Sequence, residues 1–185
     1  SEQAVSTTSN WAYSPFISID SYGYAWVGYW EYLAGVGGYY TYWPYVIKSG
    51  FNNGTWGTTP TGFPYLLTSA TSTTSWRVSV IPLTAGKMLA VYAYNGATVK
   101  AKKWDGSAWG TEVATASAIQ NGAYHSAVAQ GDDVHLVFLK ASTYDVIYTK
   151  YVYASNSFSA ETTLVAGATS SSAPVIGLNP TTNDL

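Results

Sequence analysis

Two acidic residues lie among aromatic residues, where a carboxyl group could do chemistry. Glu31 stands in the stretch YWEYL and Asp20 in the stretch IDSYGYAW. Hydrolysis of a glycosidic bond generally needs two carboxyl groups at a set separation. The chain has no recognisable catalytic motif, and Glu31 and Asp20 are its best candidates for catalytic acids. Each also has a structural alternative. Glu31 could be a strand residue that faces solvent or hydrogen-bonds a tyrosine, and Asp20 could belong to an ordinary hairpin turn.

Residues 37–50, GGYYTYWPYVIKSG, are the densest aromatic stretch of the chain. In a strand, alternate side chains point to opposite faces, so one set of rings can pack in a core while the other set is exposed. Flat rings beside hydroxyl groups suit sugars, whose C–H faces stack on aromatic rings. The stretch predicts either a carbohydrate-binding surface or packing between sheets, through Tyr39, Tyr40, Tyr42, Trp43 and Tyr45.

The chain offers little for metal binding. His125 and His135 are predicted on neighbouring strands, but two histidines without a third ligand do not make a metal site, and a buried structural role is the expectation. Residues 130–133, QGDD, lack the spaced acidic residues of a calcium loop and are predicted to form a turn. With no cysteine in the chain, thiolate ligands and thiol nucleophiles are excluded. We expect no metal and no cofactor.

The composition indicates which classes of partner the protein is expected to bind. Only 10% of the 185 residues are charged, 16% are aromatic, and the formal net charge is −2. Arg77 is the only arginine, so no basic surface for nucleic acid is expected. There is no apolar run long enough to cross a membrane. A surface built from Ser, Thr and Tyr with few charges is typical of a secreted or cell-surface protein.

The elements that must position these residues recur along the chain. The unit Asp105-Gly106-Ser107-Ala108-Trp109 resembles Asn53-Gly54-Thr55-Trp56, and Phe158 follows at a similar interval. A period near 50 residues with four short strands in each unit is the signature of β-propeller blades. We therefore predict an all-β fold, a single β-propeller segment over residues 1–185 built from four-stranded antiparallel blades.

The predicted boundaries give about three complete blades and a partial blade at each end. Trp56 and Trp109 are expected to begin the fourth strand of their blades. The segment after residue 171 is predicted to be an inner strand followed by a turn. A β-sandwich is the alternative fold, but it would not explain the repeat. The blades are 14–74, 75–122 and 123–171, and the partial blades are 1–13 and 172–185.

The repeat resembles the sialidase-like β-propeller superfamily, including its non-catalytic relatives. The resemblance rests on the blade rhythm, on the stretch DDVHLVFLK followed by DVIYTKY, and on the turn unit at Asp105. Sialidases hold the substrate carboxylate with three arginines, and this chain has Arg77 alone, so the resemblance does not imply their activity. The stretch from Ser18 to Trp26 is one residue longer than the family's Asp-box and lies between different strands.

Three functions remain open from the sequence. The first is non-catalytic, extracellular recognition by the propeller, with a glycan as the possible ligand. The second is a fragment of a glycoside hydrolase whose remaining catalytic residues lie in other blades. The third is a structural surface or filament subunit that assembles through complementary ends, since two or more copies could complete a ring as a homo-oligomer.

Overall fold

The computed structural model describes residues 11–34, 40–70, 77–93, 97–121, 125–169 and 173–185. Predictions for residues 1–10 of the partial blade 1–13, and for Tyr39, lie outside the described residues. Within them the fold is all-β, as predicted: thirteen strands form three antiparallel sheets, and the only helical turn is a 3₁₀ turn at Thr84–Gly86. No described helix is long and apolar enough to cross a membrane.

The first sheet has the strand order β1-β2-β3-β4. Aromatic and β-branched residues dominate its strands, as such residues favour a pleated, half-buried surface. The turn after β1 closes with a hydrogen bond from Asp20 N to Tyr24 O, at 2.9 Å. Its strands are β1 (Trp11–Ile19), β2 (Ala25–Ala34), β3 (Tyr40–Lys48) and β4 (Tyr65–Leu66).

The second sheet repeats the same order. Its second strand reads MLAVY and is buried throughout, because one face packs on the first sheet and the other on the third. That double burial explains why this strand is a continuous apolar run rather than an alternating one. The strands are β5 (Val78–Pro82), β6 (Met88–Tyr92), β7 (Thr98–Trp104) and β8 (Val113–Ala118).

The third sheet has the order β12-β11-β10-β9, and a further strand, β13, also pairs with β11. The pairing of β11 is divided: Tyr151 lies opposite Phe158 of β12, and Val146 lies opposite Val165 of β13. The strands are β9 (Ser126–Gln130), β10 (Asp133–Leu139), β11 (Val146–Val152), β12 (Ser157–Phe158) and β13 (Thr162–Val165).

The first strands of the three sheets lie side by side. β1 contacts β5, and β5 contacts β9. Together they line a groove of about 340 Å³ whose walls are largely apolar. The second strands lie behind them, so the sheets stack with their faces together. The groove is lined by Phe16, Ile17, Ser18, Val80, Ile81, Pro82, Ala127, Val128 and Ala129.

Two apolar clusters hold the sheets together. Between the first and second sheets, Trp26 and Trp30 pack with Val78 and Met88, all at 0% exposure. Gly28 permits this close approach, because a Cβ there would lie 2.4 Å from the carbonyl oxygen of Val78. Between the second and third sheets, the cluster contains Leu89, Val91, Val99, Val134, Leu136 and Phe138.

The turns that join first and second strands are also linked from sheet to sheet. Gly86 N donates to Ser21 Oγ at 2.7 Å, which joins the first sheet to the second. Thr84 N donates to Asp132 Oδ1 at 3.0 Å, and Lys87 forms a salt bridge with the same carboxylate, which joins the second sheet to the third. The equivalent turns of the first and second sheets are thus connected to each other, and so are those of the second and third sheets.

The structure corrects the predicted fourth strand of the first sheet. Trp56 does not begin that strand: it lies in the connection between β3 and β4, and the fourth strand is the short Tyr65–Leu66. Trp56 instead packs on Val27, Tyr29 and Ile47. Trp109 forms an isolated bridge with Trp104, and its sheet's fourth strand begins four residues later, at Val113.

Candidate functional site

The aromatic residues predicted for ligand binding divide between the two faces of the first sheet. Tyr42 lies opposite Tyr32 of β2 and packs against the cluster shared with the second sheet. Trp43 and Tyr45 lie opposite Glu31 and Tyr29, on the other face. Tyr40 is in β3, opposite Ala34, but its side chain is outside the described part of the chain. The five residues therefore do not form one surface.

Four rings from three strands meet at one end of this sheet. Trp11 stacks on Tyr32 with ring centroids 5.8 Å apart and an interplanar angle of 20°. The ring of Tyr13 meets those of Tyr32 and Tyr42 edge-on, at 6.1 Å and 5.8 Å. Tyr32 and Tyr42 lie 5.3 Å apart. We call Trp11, Tyr13, Tyr32 and Tyr42 the aromatic platform.

The platform is open to solvent. Trp11 is 66% exposed, while Tyr13, Tyr32 and Tyr42 are half-buried. One face of the Trp11 indole rests on Tyr32, and this contact favours one orientation of the ring. A large aromatic side chain that is both oriented and exposed presents an apolar surface with polar edges, which is a surface suited to a ligand.

An irregularity in β1 borders the platform. The pairing with β2 shifts between Tyr13, opposite Trp30, and Phe16, opposite Gly28. Ser14, in this interval, has φ +50°, a conformation that residues other than glycine seldom adopt, and Pro15 follows it. Such bulges redirect side chains and often lie beside functional sites. The Arg77 guanidinium lies over the Phe16 ring, 5.7 Å from its centroid.

The opposite face of the first sheet is mainly structural. Tyr45 stacks on Tyr29 at 5.8 Å, and Trp56 covers this pair together with Val27 and Ile47. Burial, reinforced by the Glu31 carboxylate, raises the pKa of Tyr45. Trp43 is half-buried on this face. Tyr45 is therefore packed, and both Trp43 and Tyr45 lie on the face opposite the platform.

Asp20 holds the turn between β1 and β2. Its Oδ1 accepts hydrogen bonds from Tyr22 N at 2.9 Å and Tyr24 N at 3.0 Å. Its Oδ2 accepts one from Trp26 Nε1 at 2.9 Å, and Lys48 Nζ lies 3.8 Å away. The Asp20 side chain has no solvent exposure. This arrangement gives Asp20 the role of a turn and core-anchoring residue.

Glu31 is on β2, opposite Ala12 of β1 and Trp43 of β3. It is only 4% exposed. The interpretation of Glu31 as a strand residue that faces solvent is therefore wrong. It lies on the face opposite the platform. Asp20 and Glu31 are at different ends of β2 and are not brought together.

The two histidines have structural contacts. His125 is 2% exposed and its Nε2 lies 3.0 Å from Ser79 Oγ on β5. Burial, with the nearby Arg77 charge, lowers the pKa of His125 to about 3. His135 lies between Tyr148 Oη at 2.7 Å and Gln130 Oε1 at 2.8 Å, and burial lowers its pKa as well. The described residues contain no group of three side chains placed to hold a metal ion.

Glu112 and Glu161 occupy equivalent positions, immediately before β8 and β13. Glu112 accepts hydrogen bonds from Tyr92 and Lys100, which keep its pKa below the usual value although partial burial acts in the opposite direction. Glu161 Oε1 accepts a hydrogen bond from Ser117 N at 2.8 Å. Both acids serve contacts within or between sheets.

Sequence reasoning found Tyr42 but missed Trp11, Tyr13 and Tyr32. The sequence prediction used the local density of aromatic residues in one stretch. The platform could not be found in this way, because its residues come from three different strands. The alternation of Trp11 with Tyr13 could have indicated that both point to one face. No known protein-family model matches the chain, and a search of curated proteins found no match.

Proposed function

We propose that the chain is a segment of a β-propeller that recognises ligands without catalysis, and that the aromatic platform binds carbohydrate. The propeller proposal is supported by the adjacent first strands, the shared groove and the repeated turn-to-turn links. The recognition proposal rests on one observation above all: Trp11 is exposed, and its ring stacks on Tyr32.

The platform has the chemistry that a sugar requires. The open face of the Trp11 indole can stack against the apolar C–H face of a pyranose ring. The rings of Tyr13 and Tyr42 add further aromatic surface at the same end of the sheet. Since the rings are already packed on one another, little side-chain freedom is lost on binding.

The positions of the acids favour binding over hydrolysis. Asp20 is enclosed by its own turn, and Glu31 is buried on the opposite face of the sheet. Neither carboxyl group borders the platform, whereas glycoside hydrolysis needs two of them beside the scissile bond. A secreted or cell-surface location, where glycans are abundant, is part of the same proposal and is supported by the low charge of the sequence.

A glycan array tests this proposal. Three proteins are compared: the natural sequence, Trp11→Ala, and Tyr22→Ala as a control for removing an exposed aromatic ring elsewhere, since Tyr22 is 59% exposed. We expect the natural sequence to bind a defined set of glycans, and Trp11→Ala to bind them about tenfold or more weakly. Tyr22→Ala should bind normally.

The thermal midpoints of the three proteins establish that each is folded. Absence of any glycan binding by the folded natural sequence would refute the carbohydrate proposal. Unchanged binding by Trp11→Ala would show that the sugar binds away from the platform.

A further inference from the structure

The sequence predicts an inner strand and a turn at residues 172–185; the structure has no strand in residues 173–185, but the segment lies beside the third sheet and ends in a turn. Ile176 N donates to Ser126 Oγ at 3.2 Å, and Gln130 Nε2 donates to Asn183 O at 3.1 Å. Ser126 and Gln130 are the two ends of β9. The segment therefore passes along β9 in the same chain direction, next to the third sheet.

The segment ends in a turn like those of the other repeats. Asn179 N donates to Asp184 O at 2.7 Å, and Asn183 N donates to Asn179 O at 2.8 Å. The Asn179 side chain accepts a hydrogen bond from Thr181 N at 2.9 Å. The link from Gln130 to this turn continues the connections from Ser21 to Gly86 and from Asp132 to Thr84.

The first strands of the three sheets each pair with an antiparallel second strand: β1 with β2, β5 with β6, and β9 with β10. Residues 173–179 belong to no strand, and within the described chain no strand pairs with them. A groove of about 450 Å³ lies at the equivalent position, lined by Val137, Tyr148, Leu164, Val175, Ile176 and Leu185.

The walls of this groove are mainly apolar, and three of the lining residues are exposed. Val175 is 85% exposed, and Leu164 and Leu185 are each 55% exposed. In the complete sheets the second strands are the most buried elements: every residue of β6 is buried, and so are six of the seven residues of β10. An exposed apolar surface of this kind is typical of an interaction site.

We propose that this groove is an acceptor site for one extended, apolar β-strand, which pairs antiparallel with residues 173–178. The repeat itself defines the occupant, because the same element fills the equivalent position in each of the three sheets. Backbone hydrogen bonds supply part of the affinity, and alternate apolar side chains of the incoming strand pack on Leu164 and Val137. This site is independent of the aromatic platform.

A peptide taken from the protein's own second strand is the most direct probe. The labelled peptide DDVHLVFLK, residues 132–140, is titrated with the chain and followed by fluorescence anisotropy. We expect saturable binding with a dissociation constant on the order of 10 to 100 µM. The same peptide with Leu136→Pro should not bind, because proline removes a backbone donor and disrupts strand pairing.

Two protein variants locate the site. Leu164→Glu places a charge in the groove and should weaken binding about tenfold or more, since an unpaired charge is costly to bury. Val165→Glu is the matched control: it is the next residue of β13, is 52% exposed, and does not line the groove. It should change affinity by less than about twofold. Both positions are exposed, and thermal midpoints confirm folding.

Three results would overturn the proposal: no saturable binding of the peptide, equal affinity of the proline peptide, or equal effects of Leu164→Glu and Val165→Glu. Light scattering adds a fourth. A dimer that resists dilution and excludes the peptide would identify a second copy of the chain, rather than a single strand, as the occupant of the groove.

Discussion

The residue Asp20 shows how a carboxylate in an aromatic sequence can be committed to structure. Both of its oxygens accept hydrogen bonds, one from two backbone N–H groups and the other from the Trp26 indole. Asp105 holds its turn differently, because Oδ1 alone accepts the bonds from Ser107 and Ala108. An asparagine keeps only one of the two carboxylate oxygens. The loss of stability on replacing the aspartate therefore depends on whether one oxygen or both accept hydrogen bonds.

We predict that Asp20→Asn lowers the free energy of unfolding by about 2 to 3 kcal/mol, because the amide nitrogen cannot accept the Trp26 N–H bond at a buried site. Asp105→Asn, the control, should have little effect since one oxygen keeps all its bonds. Urea denaturation of both variants measures the difference. Equal effects would contradict the anchoring role of Asp20.

His125 makes stability depend on pH. Its pKa is about 3 in the folded chain and about 6.5 when unfolded, so below pH 6.5 the unfolded state binds the proton first. Stability through this group is therefore lost as pH falls from about 6.5 towards 3. We predict a loss of about 2 kcal/mol between pH 7 and pH 5.

Urea denaturation at several pH values measures this loss, and His125→Gln should reduce it. A smaller dependence of the same sign should remain in the variant, because the pKa of His135 is also lowered. An identical pH dependence in the natural sequence and in His125→Gln would show that His125 is not responsible.

At the scale of elements, close contact between sheets depends on Gly28 of β2. A Cβ at this position would lie 2.4 Å from Val78 O and 2.8 Å from Val78 Cγ1. We predict that Gly28→Ala separates the first and second sheets locally and destabilises the protein by about 3 kcal/mol. Gly177→Ala is the control, since a Cβ there meets nothing within 4 Å. Thermal or urea unfolding compares them, and equal stability of the two variants would contradict the packing argument.

Strands and turns were predictable to different extents. Alternation and turn residues predicted short antiparallel strands in repeated units, but they placed the start of the fourth strand too early, at Trp56 and at Trp109. The fourth strand of the first sheet was not predictable, because Tyr65–Leu66 is only two residues long and the Asn53–Trp56 unit imitates the Asp105–Trp109 turn. Trp56 resembles Trp109 in sequence, and each packs on the face of its sheet that is turned away from the following sheet, but Trp56 lies nine residues before its fourth strand and Trp109 only four.

The aromatic platform illustrates what a sequence cannot show directly. Trp11 and Tyr32 are 21 positions apart and meet only through the register of β1 on β2, which pairs them. The local ring density at residues 39–45 was visible, but the strand divides those rings between two faces. Which rings are accessible therefore depends on how the strands pair. It also depends on the connection between β3 and β4, because its residue Trp56 packs on the opposite face of the sheet.

For the whole molecule, the question is whether the stacked sheets curve around a common axis. Contacts between adjacent sheets would be similar in a flat stack and in a propeller, but the distance between the first and third sheets would differ. In a flat stack that distance equals the sum of the two adjacent distances. In a ring it is shorter, by a ratio of between about 0.71 and about 0.92 for rings of four to eight blades.

The chain has no cysteine, so pairs of spin labels can be introduced without removing native thiols. Asn53, Ser107 and Ser155 are exposed and lie in the connections that follow the third strands of the three sheets. Pulsed dipolar spectroscopy on the three double-cysteine variants gives the two adjacent distances and the long one. The propeller arrangement predicts a long distance below about 0.92 of the sum of the other two. A ratio of about 1 would mean that the sheets stack without curvature, and would contradict it.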